Sequence, residues 1–244
     1  MKELFGLSDV PFTAPKNTGF LKMLISLFEE KDFYVLDFFS GSASEADAVM
    51  QLNAEDGGHR KFIMVQLPEE TDEKSEAYKA GYRNICEIGK ERIRRAAKKI
   101  AEENLEAAFD GGFRVLKCDS SNMKDVYYSP ADFELNLLDT MEDNIKEDRT
   151  AEDLLFQVML DLGVTLSSRI EETTIAGKKV FDVADGFLIA CFDEDVNEET
   201  IKAIAQKEPY YFVMRDSSLA NDSVATNFEQ IFATYSPDTV RKVL

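Results

Sequence analysis

The run Asp37-Phe38-Phe39-Ser40-Gly41-Ser42-Ala43 carries the residue types needed to hold a nucleotide-like cofactor. Small residues let the backbone approach a ligand closely, and the N–H groups of a helix that starts just after them favour an anion. Gln66 lies 25 residues beyond Gly41, near where dinucleotide folds place an acid on the ribose hydroxyls; a glutamine oxygen can accept the same bond, or Gln66 is a simple strand-end residue. Asp119 ends a later apolar run and can either meet an adenine edge or cap the next turn. Only Gly41 is present of a full Gly-x-Gly-x-x-Gly, which argues against a NAD or FAD site. Glu45 and Asp47 fall in the first turn of the following helix, where acids offset the helix dipole. His59, the single histidine, cannot by itself build a His-rich metal site or a Ser-His-Asp triad, and it reads as a surface residue. Lys90, Arg92, Arg94, Arg95, Lys98 and Lys99 are interleaved with Glu87 and Glu91 and read as a solvated helix face rather than a nucleic-acid contact.

The elements that must position these residues alternate. Leu21, Leu24, Ile25 and Phe28 follow a helical period, and an apolar strand over 33–38 leads into the loop. A helix over 44–52 follows, closed by Asp56-Gly57-Gly58. The nearly continuous apolar run 61–67 fits a parallel strand covered on both faces. A long helix is predicted over roughly 78–105, with Ile85, Gly89, Ile93, Ala96 and Ile100 inward. Gly111-Gly112 introduces a third strand, 113–118. This β-α-β-α-β order implies a parallel sheet of about three strands, half of a doubly wound domain.

The second half has another rhythm. Thr150 with Asp153 forms a capping-box pattern ahead of Leu154, Leu155, Val158, Met159 and Leu162, and Gly163 ends that helix. Three strands are expected over 168–175, 178–183 and 187–192, with turns at Ala176-Gly177 and Asp185-Gly186. A helix near 198–207, a strand over 210–214 and a helix around 223–232 complete an α+β module. The polar stretch 128–150 suggests a boundary, giving domains 1–130 and 131–244.

Charge separates the halves. The net charge is −19, the wrong sign for a chain that grips DNA by itself. Residues 1–130 carry 18 basic and 23 acidic residues, whereas 131–244 carry 10 and 24. The second half therefore reads as solvated or protein-facing. No apolar run approaches the ~18 residues of a membrane span, and no signal peptide opens the chain. Cys86, Cys118 and Cys191, odd in number and set in apolar segments, are expected to be buried free thiols in the reducing cytoplasm.

Several segments together resemble the methylation (Mod) subunits of type III restriction–modification systems. They are 37–43 with 48–53, 60–69, 89–95, 142–150, and the end of the chain, 215–218 with 227–232. The resemblance runs over nearly the whole length. It implies a partial S-adenosylmethionine-dependent, Rossmann-like methyltransferase sheet and a parent enzyme that methylates N6 of adenine in DNA. It also implies a permuted order, with the catalytic Asp-Pro-Pro-Tyr segment and the target-recognition domain ahead of the cofactor loop. On this basis Asp37, Phe39, Ser40, Gly41, Ser42 and Ala43 surround S-adenosylmethionine, Lys16 holds its methionine end and Gln66 its ribose. Three positions depart from the family pattern: Asn17 replaces the second proline of Pro-Lys-Pro, Ala43 replaces a glycine, and Glu45 stands where a hydroxyl residue is usual.

No Pro-Pro dipeptide occurs in the 244 residues, so Asp-Pro-Pro-Tyr is absent. Without that segment nothing orients the target nitrogen or stacks on a flipped base. The resemblance therefore implies a C-terminal portion, catalytically incomplete alone, whose partners are a Mod protomer or a missing N-terminal half and the restriction (Res) subunit. DNA would be met only through the complete enzyme. The alternative is a non-catalytic module in which residues 131–244 join Mod protomers or contact Res.

Overall fold

The computed structural model describes residues 1–7, 11–12, 14–105, 109–124, 145–219 and 222–244. They form two compact units, Met1–Val115 and Leu116–Leu244. Most of the predicted boundary stretch 128–150 lies outside the described residues.

The first unit is built around one helix. A short α1 (Lys2–Phe5) and α2 (Thr18–Ile25) precede β1 (Tyr34–Asp37), and α3 (Ser44–Asp56) leads to β2 (Lys61–Met64). Asn17 starts α2 by accepting the Phe20 N–H at 3.0 Å, which gives the departure from Pro-Lys-Pro a structural role as a helix cap. β1 and β2 pair in parallel, Tyr34 opposite Lys61 and Asp37 opposite Met64, so both strands deliver their C-terminal ends to one edge. α3 is buried on two sides. Ala48, Val49 and Leu52 meet Leu21 and Ile25 of α2. Ala46 and Met50 meet Ile93, Ala96 and Ile100 on the next long helix.

That helix differs from expectation. Residues 78–105 are not continuous: α4 (Glu76–Lys79) stops at Gly81, whose φ of 96° no helix accommodates, and α5 (Ile85–Glu103) restarts where Asn84 accepts the Glu87 N–H at 3.0 Å. The third strand is also absent. Residues 113–118 have no strand partner, and only Phe113 packs inward, against the α3–α5 core. The parallel sheet therefore has two strands among the described residues, not three.

Among the described residues only one face of that pair is covered. Phe33, Val35, Phe62 and Met64 point toward the helices. On the opposite face Tyr34, Leu36, Phe38, Ile63, Val65 and Leu67 are 46–64% exposed.

In the second unit α6 (Ala151–Asp161) precedes β3 (Ile170–Ile175), β4 (Lys178–Val183) and β5 (Leu188–Cys191). Then come α7 (Glu198–Ala205), β6 (Tyr211–Met214), α8 (Asp222–Tyr235) and β7 (Val240–Val243). The predicted capping box is present: Thr150 Oγ1 accepts the Asp153 N–H at 3.2 Å, and the Asp153 carboxylate accepts the Thr150 N–H at 2.8 Å. The five strands lie in the order β3-β4-β5-β6-β7, antiparallel up to β5 and parallel beyond it. Ala176 and Gly177 both take positive φ, as a tight hairpin between β3 and β4 requires. α6 covers one face with Leu154, Leu155, Val158 and Met159. α7 and α8 cover the other with Ile201, Ile204, Phe228 and Phe232, and all four residues of β5 are buried.

Candidate functional site

The small-residue loop lies where β1 and β2 end together. The Asp37 carboxylate accepts the Phe39 N–H at 3.1 Å and turns the chain off the strand. Ser40 N–H donates to Val65 O at 3.2 Å, and Gly41 N–H donates to Gln66 Oε1 at 2.7 Å. Gln66, expected at a ribose, is thus a strap between β2 and the loop. Gly41 has φ 51°, and a Cβ there would sit 2.9 Å from the Phe12 ring. Only glycine suits both the conformation and the space. Ala43 also takes the left-handed conformation, at φ 56°, which glycine adopts at less cost. On α5, Gly89 comes so close that its added Cβ would lie 3.3 Å from Gly41 O. Glycine at position 89 therefore allows helix and loop to touch.

A buried arginine holds the loop from beneath. Arg92 of α5 is 4% exposed. Its Nε donates to Asp47 Oδ2 at 3.0 Å, and its Nη1 donates to Ser44 Oγ at 2.7 Å and Ser42 Oγ at 3.2 Å. Its Nη2 donates to Thr18 Oγ1 at 3.1 Å and is 3.0 Å from Asp47 Oδ2. This corrects the reading of the basic run as uniformly solvated. Lys90, Arg94, Arg95, Lys98 and Lys99 do form ion pairs three or four residues away along the helix, but Arg92 faces inward. Asp47, in the first turn of α3 as expected, is also the buried counter-ion of Arg92. The missed signal was position: Arg92 stands one residue from Ile93 and four from Ile88 and Ala96, on the apolar stripe of α5.

Above the loop the charges are opposite and close. Burial first, and then a hydrogen bond and repulsion from Asp37, raise the Glu45 carboxyl to about 7, with Lys16 acting in the opposite direction. Lys16 and Asp37 thus both act on Glu45 beside the loop. Phe39 is 76% exposed, its ring tilted 60° against that of Phe38 with centres 5.4 Å apart. Beyond Gln66 lies a polar cleft of about 390 Å³ walled by Pro68, Thr71, Tyr78 and Arg83, the guanidinium 4.0 Å over the Tyr78 ring.

Asp119 is not among these residues. It lies in the second unit, where it accepts the Ser120 N–H at 2.6 Å and sits 3.8 Å from Arg149. His59 is exposed, as expected of a surface residue. Cys191 is the one cysteine fully buried, and burial raises its thiol to about 11. Cys86 is half-buried and Cys118 exposed, because the strand expected to bury Cys118 does not form. Among the described residues no His, Cys, Asp and Glu cluster could hold a metal ion, and no helix is long and apolar enough to cross a membrane.

Fold and site define an α/β unit with a braced Gly/Ser loop at the C-terminal edge of parallel strands, joined to a mixed-sheet unit. No protein-family model matches the chain. Over 236 residues, 94% of its length, it is 33% identical to the Mod subunit of the type III restriction–modification enzyme EcoP15I from Escherichia coli, covering 33% of that protein. It is 47% identical over 112 residues to the StyLTI Mod subunit of Salmonella typhimurium, covering 46% of this chain and 17% of that one. Identity to the EcoPI Mod subunit of Escherichia phage P1 is 32% over 199 residues, 80% of this chain and 29% of that one. The chain is a homologue of type III restriction–modification Mod subunits, and it spans a third or less of the length of these relatives.

Proposed function

We propose that this chain is the S-adenosylmethionine-binding, C-terminal portion of a DNA adenine-N6 methyltransferase of the type III Mod kind, and that it is catalytically incomplete alone. The observation that carries the reading is the Gly41 loop, strapped by Gln66 and touched by Gly89, in a chain homologous to Mod subunits over 94% of its length. The charges at the loop suit the two ends of an amino acid: Lys16 would pair with the cofactor's carboxylate, and Asp37 would accept from its ammonium group. Ser40 through Ala43 would lie along the methionine chain, with Phe39 as an apolar neighbour. Gln66, one lone pair given to Gly41, keeps a second for a ribose hydroxyl. When bound, S-adenosylmethionine supplies an electrophilic methyl group. The absent Asp-Pro-Pro-Tyr leaves no group here to orient an adenine nitrogen toward it.

Isothermal titration of the full chain with S-adenosylmethionine tests this. Saturable heat that Gly41→Val abolishes is expected, and no heat at millimolar cofactor would sink the reading. Methyl transfer to DNA by the chain alone would overturn the claim of incompleteness.

The bare face of β1–β2 is where we place the polypeptide corresponding to the part of the Mod relatives that this chain does not match. Parallel strands are covered on both faces in nearly all folds, and these two with the residues that follow them carry six exposed apolar side chains. The matching test is co-purification with the unmatched portion of the EcoP15I Mod subunit. A stable complex that Leu36→Lys with Ile63→Lys breaks is expected; no complex, or one indifferent to both changes, argues against it.

A second reading concerns the acidic second unit, whose sheet is covered on both faces and needs no further cover. It would serve to join Mod protomers or to contact Res. Light scattering of the full chain, alone and with a Res subunit, tests this; an inert monomer counts against it.

A further inference from the structure

We infer that Arg92 is the positioning residue of the loop, holding it in a strained conformation through Ser42 and Ser44 rather than supplying charge to a ligand. Its consequence for affinity rests on the cofactor reading above; its effect on the loop does not.

Three observations carry it. The guanidinium joins α5 to segments 45 to 74 residues away in sequence: Thr18 at the start of α2, Ser42 in the loop, and Ser44 and Asp47 in the first turn of α3. Five donors in a rigid fork can serve these partners at once, which a lysine cannot do. Second, one nitrogen, Nη1, binds the side chains on both sides of Ala43. Ala43 is the loop residue other than glycine held at positive φ, and a non-glycine residue stays in that region only where its surroundings over-determine it. Third, Asp47 shares Oδ2 with both Nε and Nη2, so the positive charge is neutralised locally and is a poor attractor for an anion. Ser42 and Ser44 are themselves buried, so Arg92 works through the backbone they flank and not through hydroxyls offered to a ligand.

The test must separate positioning from support of the fold. Arg92→Met alone would strand Asp47 as a buried unpaired charge, so the key variant removes the pair together, Arg92→Met with Asp47→Leu, an exchange buried ion pairs commonly tolerate. Hydrogen exchange with mass spectrometry reads the loop directly, because the Ser40, Gly41 and Ala43 N–H groups are bonded in the folded chain. The pair variant should exchange at least about tenfold faster over 39–44, a loss of ~1.4 kcal/mol of local protection, while α3 and α5 keep theirs. Adding Ala43→Gly, which removes the need to hold a strained residue, should restore much of the protection. Titration with S-adenosylmethionine should follow the same order: wild type tightest, the pair variant weakest, the triple variant between.

Unchanged loop exchange in a folded pair variant overturns the proposal, as does protection lost equally from α3 and α5. If the wild type takes no cofactor, the cofactor reading fails, and loop exchange still decides the role of Arg92.

Discussion

The two sheets of this chain are written in similar residues and end in different surroundings. β5 (Leu-Ile-Ala-Cys) and the strand pair β1 (Tyr-Val-Leu-Asp) and β2 (Lys-Phe-Ile-Met) are all short apolar runs. Continuous apolar character is what a strand covered on both faces shows. In the second unit that condition is met, α6 on one side and α7 with α8 on the other. In the first unit α2, α3 and α5 cover one side and leave the other bare. The difference teaches that the second sheet is covered on both faces by its own chain, whereas the described residues of the first leave one apolar face in water.

Substitutions can break that comparison, and the largest effect belongs to the sheet covered on both faces. Phe212 is fully buried between β6 and α8, stacked on Phe232 at 5.3 Å. Phe212→Ala should cost about 3–5 kcal/mol in denaturant unfolding, with exchange protection lost over 170–244 and kept over 34–64. Equal loss in both units would mean that they unfold together.

Next in size is a pH effect confined to the first unit. The Glu45 carboxyl titrates at about 7 in the folded chain against 4.5 as an ordinary glutamate. Between these values the folded form binds more protons than the unfolded one, so stability falls as pH rises. The contribution is complete below pH 4.5 and gone above about 7. Thermal melts from pH 5 to pH 8 should show the decline, and Glu45→Gln should flatten it. A decline that persists in Glu45→Gln would place the titrating group elsewhere.

A smaller change is expected at the start of α6. Thr150→Ala removes the cap and should cost about 1 kcal/mol, read in the melting of the second unit. The smallest effect sharpens the contrast most. Leu36→Lys on the bare face should change stability by no more than about 0.5 kcal/mol, because the side chain is already in water. A large loss there would mean that the face is covered in solution.

What sequence made legible follows the same division. The Gly41 loop, the Thr150 cap and the Ala176-Gly177 hairpin depend on residues a few positions apart, where conformation is locally decided. Elements that depend on distant partners were harder to read. Residues 113–118 carry an apolar pattern, but a strand is made by pairing with a distant segment, and these residues pair with none among those described. β7 (Val-Arg-Lys-Val) was missed because an edge strand can carry charge and lacks apolar continuity. The break at Gly81 was hidden by good helix formers on either side. Arg92 was hidden by its neighbours: five other basic residues on α5 made an inward-facing sixth look like one more solvated charge. In the site, the loop residues were found from their own types, while the groups that brace them, Arg92, Asp47 and Gly89, are identified only by what they touch.

The reach of Arg92 also sets an order of events. Its partners at 18, 42, 44 and 47 leave the ribosome well before residue 92 does, and contacts between distant positions form late in folding. The β1–α3–β2 segment can assemble from neighbouring residues, but the loop acquires its final shape only when α5 docks. The shape of the loop is therefore completed as a closing step of folding, and any process that loosens α5 would erase that shape before the surrounding strands are lost.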